Sequence, residues 1–192
     1  MSIAALLFFI RALGLTLPLW IVAGWSAAEA AIFFLVADIP ISWIAVRSGT
    51  RAAILAAIVA ALASVAGAIA VFFWAGRDPG GAAAAMAGLP AIDPALIAKA
   101  ASDYHQGFMA MLEGSFSGTP FKLYALEAAN GPDYSLLLLA PFLRLPRFLL
   151  VALFAGGVSE LLRRRLNVRA RLGLLTLLWV LFYGWYFSVM PA

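Results

Sequence analysis

Three basic side chains stand in a stretch of the chain where charge is costly. Lys122, Arg144 and Arg147 lie within residues 113–148 of a chain in which 65% of residues are hydrophobic and only 11% are charged. Charged groups at membrane depth are rare, and they usually face a cavity or a partner of opposite charge. Guanidinium groups bind phosphate oxygens in pairs, and an ammonium group binds them as a point charge. These residues therefore predict a site for the phosphate of a lipid headgroup.

Two structural interpretations compete with a phosphate site at these basic residues. Arg144 and Arg147 are three residues apart, so a helix would place them on one face. That face could extend to a membrane surface, where arginine side chains reach toward water, or it could form ion pairs with Glu113 or Glu127. Lys122 could likewise bind a phosphate or form an ion pair with one of these two carboxylates. The sequence leaves these alternatives open.

Carboxylates in the same apolar chain offer a second kind of chemistry. A carboxyl group in surroundings of low dielectric constant has a raised pKa, so it can carry a proton near neutral pH. On this basis we predict proton coupling by Glu29, Asp38 and Glu113. The alternative is that Glu29 and Asp38 form ion pairs, either with Arg47 or Arg51 or with the arginines of the later charged stretch.

Composition excludes several other kinds of chemistry. The chain has no cysteine and a single histidine, His105, so it has no disulfide, no thiolate metal site and no metal site built on a histidine pair. We expect no metal and no other cofactor. The run GSFSG at 114–118 has Phe116 in place of the serine that a hydrolase elbow requires. We therefore expect no catalytic residues and no enzyme.

Composition also indicates the class of protein. The chain has 192 residues and a mean hydropathy of +1.01, whereas soluble domains are only about half apolar and about a quarter charged. We predict an integral membrane protein with one domain, residues 1–192. We expect no nucleic-acid partner, because the net charge is only +4 and five arginines lie between residues 163 and 171. No basic segment precedes the first apolar run, so we expect no removed signal peptide.

Apolar runs predict the membrane helices. Residues 52–75 contain no charge and are the clearest span, and their small residues permit another helix, or a second copy of the chain, to approach closely. Residues 134–162 predict a long helix that carries both arginines, and residues 172–190 predict a final helix with an aromatic belt. Residues 3–24 either span the membrane or lie at its interface, because Arg11 interrupts them. Asp93 is expected to cap an interfacial helix.

Helix breakers predict two further elements of a different kind. Residues 25–46 and 106–131 combine charges with glycine or proline, and backbone without hydrogen bonds is tolerated at membrane depth only against protein or water. We predict a re-entrant hairpin in each. Arginines make 163–171 a cytoplasmic loop, and counting back from it places the hairpins on opposite sides, as in the inverted repeats of transporters. The predicted fold is an all-α membrane protein with transmembrane helices around two oppositely oriented re-entrant helical hairpins.

Several short motifs occur in an order that resembles a known family. They are EAAIFF at 29–34, FSGTPFK at 116–122, AANG at 128–131 and RLPRF at 144–148. Together they resemble the DedA superfamily, membrane proteins of the VTT or SNARE-associated type, and within it the YqaA-like members, over about residues 25–160. The chain departs from that subgroup at Gly118, where the subgroup has a proline, and at 35–40, where it has a tighter proline pair.

The resemblance implies a function and a site. It implies movement of phospholipid or polyprenyl-phosphate carriers across the bacterial inner, cytoplasmic membrane by a multi-pass protein, with proton coupling in some members. It implies that Phe116, Pro120 and Lys122 contribute to the substrate site together with Arg144 and Arg147. The expected partners are the lipid itself and the surrounding bilayer.

Two other functions compete with lipid movement. A structural or assembly protein that transports nothing would use the same polar segments for packing, and removing an arginine would then lower its folded yield alone. An intramembrane hydrolase would instead react with a serine-directed phosphonate. The sequence does not identify the lipid or the direction of its movement.

Overall fold

The computed structural model describes residues 14–131 and 133–189, and the regular elements in these ranges are all helices. The helices are α1 (Thr16–Ala31), α2 (Asp38–Ser48), α3 (Thr50–Arg77), α4 (Pro79–Ala87), α5 (Pro94–Gln106), α6 (Phe108–Ser117), α7 (Phe121–Asn130), α8 (Ser135–Leu162) and α9 (Val168–Val189). The all-helical prediction is confirmed. Part of the predicted first run, 3–24, lies outside the described residues. Arg11 is one of the residues that lie outside them.

Three helices are long and apolar enough to cross a membrane. They are α3, α8 and α9, with mean hydropathies of 2.6, 2.0 and 1.7 over their most apolar windows. These helices confirm the helices predicted at 52–75, 134–162 and 172–190. The prediction of a loop over 163–171 is wrong in its extent, because α9 already begins at Val168. Arg169 and Arg171 therefore belong to the first turn of a helix.

The first helix break lies within residues 25–46, where we predicted a re-entrant hairpin. It covers 32–37, between α1 and α2, and α1 begins before the predicted range, at Thr16. Pro40 falls in the first turn of α2, where a missing N–H costs nothing. Pro40 therefore begins α2 and does not interrupt a helix.

The second helix break lies within residues 106–131, where we predicted the second re-entrant hairpin. Helices α6 and α7 are separated only by Gly118, Thr119 and Pro120. Gly118 has φ +97°, which favours a residue without a side chain. The motif at this position thus produces a sharp change of direction between two short helices.

The order of elements repeats along the chain. In each half, two shorter helices flank a break and a helix of 28 residues follows, first α1, α2 and α3, and then α6, α7 and α8. The two long helices pack along each other. Helix α2 packs on α8, and α7 packs on α3, so the second short helix of each half lies against the long helix of the other half. This exchange brings the two breaks close to each other.

Small residues allow the close packing of α1 on α3, as the sequence predicted. A Cβ atom added at Gly67 would overlap the carbonyl oxygen of Ala27. Ser26 Oγ donates a hydrogen bond of 2.8 Å to the carbonyl oxygen of Ala60. Gly156 of α8 has the same role, since a Cβ atom there would overlap the side chain of Thr50.

Helix α9 is attached differently from the others. It packs chiefly on α2, and none of its residues is buried against the described part of the chain. Two polar contacts hold it: Tyr183 Oη accepts from the backbone N–H of Val36 at 3.0 Å, and Trp179 Nε1 donates to Ser42 Oγ at 3.1 Å. Open grooves remain on both sides of this contact.

Candidate functional site

Five charged side chains meet where the two helix breaks approach each other. They are Glu29 in α1, Asp38 at the start of α2, Lys122 in α7, and Arg144 and Arg147 in α8. The first break brings the two carboxylates near each other, and the second places the lysine beside them. The two arginines follow on one face of α8 because they are three residues apart.

Arg144 forms the most deeply buried ion pair of this cluster. Its Nη2 contacts Glu29 Oε2, and both side chains are buried. The guanidinium carbon lies 4.9 Å from the ring centre of Phe148 and 5.4 Å from that of Phe121, within the range of a cation–π contact. Nη1 is buried and, among the described residues, has no hydrogen-bond partner. Arg144 thus retains an unused donor that is enclosed by the surrounding protein.

Arg147 connects the two breaks. Its Nη2 and Nε donate to Asp38 Oδ2 at 2.5 and 3.1 Å, and its Nη1 donates to the backbone carbonyl of Ser115 at 3.0 Å. The other carboxylate oxygen, Asp38 Oδ1, is buried without a partner in the described part of the chain. Glu29 and Asp38 therefore pair with the arginines of the later stretch, one of the alternatives that the sequence left open.

Lys122 has a partner that the sequence did not predict. Its Nζ donates to the backbone carbonyl of Phe33, in the first break, at 2.7 Å, and the residue is 3% exposed. The alternative in which Lys122 pairs with a carboxylate is not found: Glu127 contacts His105 at 3.2 Å, and Glu113 is exposed. This contact is with a neutral group, so no carboxylate of the described residues is paired with Lys122.

A cavity of about 90 Å³ lies against this cluster, with room for several water molecules. Its wall includes Glu29, Pro120, Lys122, Arg144 and Arg147. Three cations face two carboxylates, counting Asp38 behind Arg147, so one positive charge is in excess. An anion that enters the cavity would meet this excess charge.

A larger apolar groove of about 660 Å³ begins where the cavity ends. Helix α9 supplies one side of it with Leu178, Trp179, Leu181, Phe182, Tyr183 and Tyr186. Cavity and groove share Phe34, Val36, Gly118, Arg147 and Tyr186. A small charged compartment thus continues directly into a long aromatic one.

Two predicted site residues do not lie at the charged cluster. Glu113 and Phe116 are exposed on α6, and neither lines the cavity. Residues three apart share a helix face, and this face points away from the cluster. Gly114 and Ser115 occupy the buried face of the same helix. A role of Glu113 in proton coupling, or of Phe116 in substrate binding, finds no support in this geometry.

A polar cluster that the sequence analysis missed holds the second break. Asp103 Oδ2 accepts hydrogen bonds from Lys99 at 2.5 Å, Tyr124 at 3.1 Å and Thr119 at 3.5 Å. Gly114 makes this possible, because a Cβ atom there would overlap the hydroxyl of Tyr124. The only signal in the sequence was the spacing of Lys99 and Asp103, which places them one helical turn apart.

Helix α5 is fixed at both ends. At its start, Asp93 Oδ1 accepts from the N–H of Leu96 at 2.7 Å, which confirms the predicted cap. Near its end, Tyr104 donates to Asp133 Oδ2 at 2.7 Å. Hydrogen bonds from Ser135 and Tyr104 hold the pKa of Asp133 below its usual value. This contact joins α5 to the segment that leads into α8.

The aromatic side of the groove was also missed. The sequence analysis assigned the aromatic residues of α9 to a membrane interface, whereas Tyr186 and Phe187 line the charged cavity.

Among the described residues, no three histidine, aspartate or glutamate side chains come together as metal ligands. Comparison with protein-family models, with curated proteins and with solved structures finds no match. The resemblance to the DedA superfamily therefore stays a prediction.

Proposed function

We propose that this membrane protein moves phosphate-bearing lipids across a bilayer, as a transporter or scramblase. The observation that carries the proposal is the continuity of the charged cavity with the aromatic groove. A phosphate headgroup needs cations that are not fully neutralised, and its chain needs an apolar path beside them. This molecule offers both compartments, with Arg147 at the boundary between them.

The cavity residues would divide the work of holding a phosphate. Lys122 supplies a cation that pairs with no carboxylate of the described residues, and Arg144 supplies a second cation, whose unpaired Nη1 would reach the phosphate only after the side chain moves. Arg147 already donates hydrogen bonds to Asp38 and Ser115, so it would hold the two breaks together around the headgroup. Charge-assisted hydrogen bonds of this kind are about twice as strong as neutral ones.

The two helix breaks would act as re-entrant hairpins. Helices α6 and α7 have 10 residues each, about half of the ~20 residues that a crossing requires. The break between them lies against a polar cavity, which is where irregular backbone is tolerated at membrane depth. In this arrangement the arginines at 163–165 lie in the cytoplasm, and the membrane is the bacterial inner membrane, as the DedA resemblance implies.

Proton coupling belongs to the same proposal. Asp38 is the better carrier of the two buried acids, because its Oδ1 has no partner among the described residues and the residue lines the groove. Glu29 is engaged by Arg144 and would release a proton only when that pair opens. Protonation of Asp38 would weaken its hold on Arg147 and loosen the contact between the breaks.

The test is a lipid-movement assay on vesicles that contain the purified protein. A fluorescent phospholipid is bleached from outside with dithionite, and the wild type is compared with Arg147→Gln. The matched control is Arg164→Gln, an exposed arginine in the turn before α9. We expect bleaching beyond the outer leaflet for the wild type and the control, and a several-fold slower second phase for Arg147→Gln.

Two results would contradict the proposal. One is wild-type activity in Arg147→Gln. The other is a wild type that moves neither a phospholipid nor a polyprenyl phosphate faster than empty vesicles.

A structural or assembly protein remains the second candidate, because both arginines are already paired with carboxylates. It predicts that Arg147→Gln lowers folded yield while the wild type shows no lipid movement.

A further inference from the structure

A second apolar groove lies between α8 and α9, separate from the charged cavity. It has a volume of about 420 Å³ and is lined almost entirely by aliphatic and aromatic side chains. Leu150, Phe154 and Val158 form its α8 side, and Leu174 and Leu178 form its α9 side. Helix α9 packs chiefly on α2 and not on α8, which leaves this groove open. We call it the α8–α9 seam.

One arginine closes the seam at the end where α8 and α9 are joined. Arg171 Nη1 donates to the side-chain and backbone oxygens of Ser159, at 2.6 and 3.0 Å. Its Nε is buried and, within the described residues, has no partner. This position is in the first turn of α9, where the helix dipole adds further positive potential. The end of the seam is therefore polar, cationic and incompletely satisfied.

The charges around this end are almost all positive. Residues 159–171 contain five arginines and a single acid, Glu160, which pairs with Arg163 at 2.9 Å. Arg164, Arg165 and Arg169 are exposed. Basic clusters next to a membrane helix attract anionic lipid headgroups. A groove with an apolar length and a cationic end is complementary to one anionic phospholipid.

We propose that the α8–α9 seam binds one anionic phospholipid, with its phosphate at Arg171 and an acyl chain along the groove. The lipid fills the space that protein side chains leave open and fixes α9 to the bundle. It is a resident lipid, distinct from the lipid that enters the charged cavity. The proposal therefore holds whether or not the protein moves lipids.

The test is native mass spectrometry of the delipidated protein with phosphatidylglycerol or phosphatidylcholine of identical chains. Loss of hydrogen bonds to a charged group lowers affinity by about tenfold or more. We expect the wild type to retain one phosphatidylglycerol and little phosphatidylcholine. Retention should fall about tenfold in Arg171→Gln. It should be unchanged in Arg147→Gln, which separates the seam from the charged cavity.

A second pair of variants tests the groove without touching the arginine. Val158→Trp fills the seam and should abolish retention, whereas Leu177→Trp, at an exposed position of α9 that does not line the seam, should preserve it. Hydrogen exchange of α9 should slow when phosphatidylglycerol is added to the wild type, but not to Val158→Trp.

Three results would overturn the proposal. Equal retention of the two lipids by the wild type would show that the headgroup charge does not determine binding. Loss of the lipid in Arg147→Gln, but not in Arg171→Gln, would assign it to the charged cavity. A stable dimer without bound lipid would show that a second copy covers the seam.

Discussion

Helices α8 and α9 are neighbours of similar apolarity, yet they are held in place by different means. Their mean hydropathies are 2.0 and 1.7, but 33% of the α8 window is buried, against 0% for α9. Helix α8 has small residues such as Gly156 on its packed face and two arginines that reach acids of the other half. Helix α9 contains Gly173 and Gly184, but a Cβ atom added at either would meet no atom of the described residues, and its arginines pair with no acid there. Apolarity therefore brings a helix into the membrane, whereas small residues and paired charges determine where it packs.

The largest difference is expected at the ion pair of α8. Glu29→Ala leaves Arg144 charged and buried, and breaking a buried pair in this way costs about 3–5 kcal/mol. Glu160→Ala is the matched control, because it breaks an exposed pair with Arg163 and such pairs contribute about 0–1 kcal/mol. Thermal unfolding in detergent should show a large shift for Glu29→Ala and almost none for Glu160→Ala. Equal shifts would show that the buried pair stabilises the protein no more than the exposed pair does.

The small residues of α8 should give the next largest effect. Gly156→Leu would overlap Thr50 of α3, and overpacking of this kind costs about 1–3 kcal/mol. Gly157→Leu is the control on the following residue, where a Cβ atom would meet no atom of the described residues. Folded yield and unfolding temperature should fall for Gly156→Leu alone. A decrease for Gly157→Leu of the same size would contradict the packing described for α8.

Polar contacts of α9 should matter less. Tyr183→Phe removes the acceptor of the Val36 N–H, a loss of about 0.5–1.5 kcal/mol. Hydrogen exchange at Val36 should quicken, while exchange in α8 stays unchanged. Tyr186→Phe is the control, since its hydroxyl makes no hydrogen bond within the described part of the chain. Unchanged exchange at Val36 would show that this contact does not hold α9.

The smallest effect is expected outside both helices, at the contact of Tyr104 with Asp133. A carboxyl group whose pKa is lowered by folding stabilises the protein above its unfolded pKa, ~3.9, and this stabilisation is lost as pH falls through the folded pKa. Tyr104→Phe should therefore lower the unfolding temperature slightly at pH 7 and much less in acid near pH 3. A difference from wild type that grows on acidification would contradict the assigned sign.

Much of the fold could be predicted because its signals are local. The spans α3, α8 and α9 follow from uninterrupted apolar runs, and the start of α5 follows from Asp93 and the proline after it. It was also predictable that buried acids would pair with arginines. A charge in an apolar bundle needs a partner, and few were available.

The partners themselves could not be predicted, for physical reasons. Lys122 binds the backbone carbonyl of Phe33, and a carbonyl group is present at every residue, so its position leaves no mark in the sequence. The exposed face of α6 was misjudged because Phe116 and Glu113 belong to a motif whose buried side depends on packing against other helices. The groove depends on the distance between α9 and the bundle, which no local pattern encodes.

The most direct test of the central claim is photolabelling with a long-chain alkyl phosphate that carries a diazirine at the end of its chain. We expect labelling of residues 178–187 in the wild type, competition by unlabelled phospholipid, and loss of the label in the double variant Lys122→Met and Arg147→Gln. The same chain ending in an alcohol should label these residues weakly. Equal labelling by the phosphate and the alcohol, or full labelling of the double variant, would contradict a phosphate site at the junction of cavity and groove.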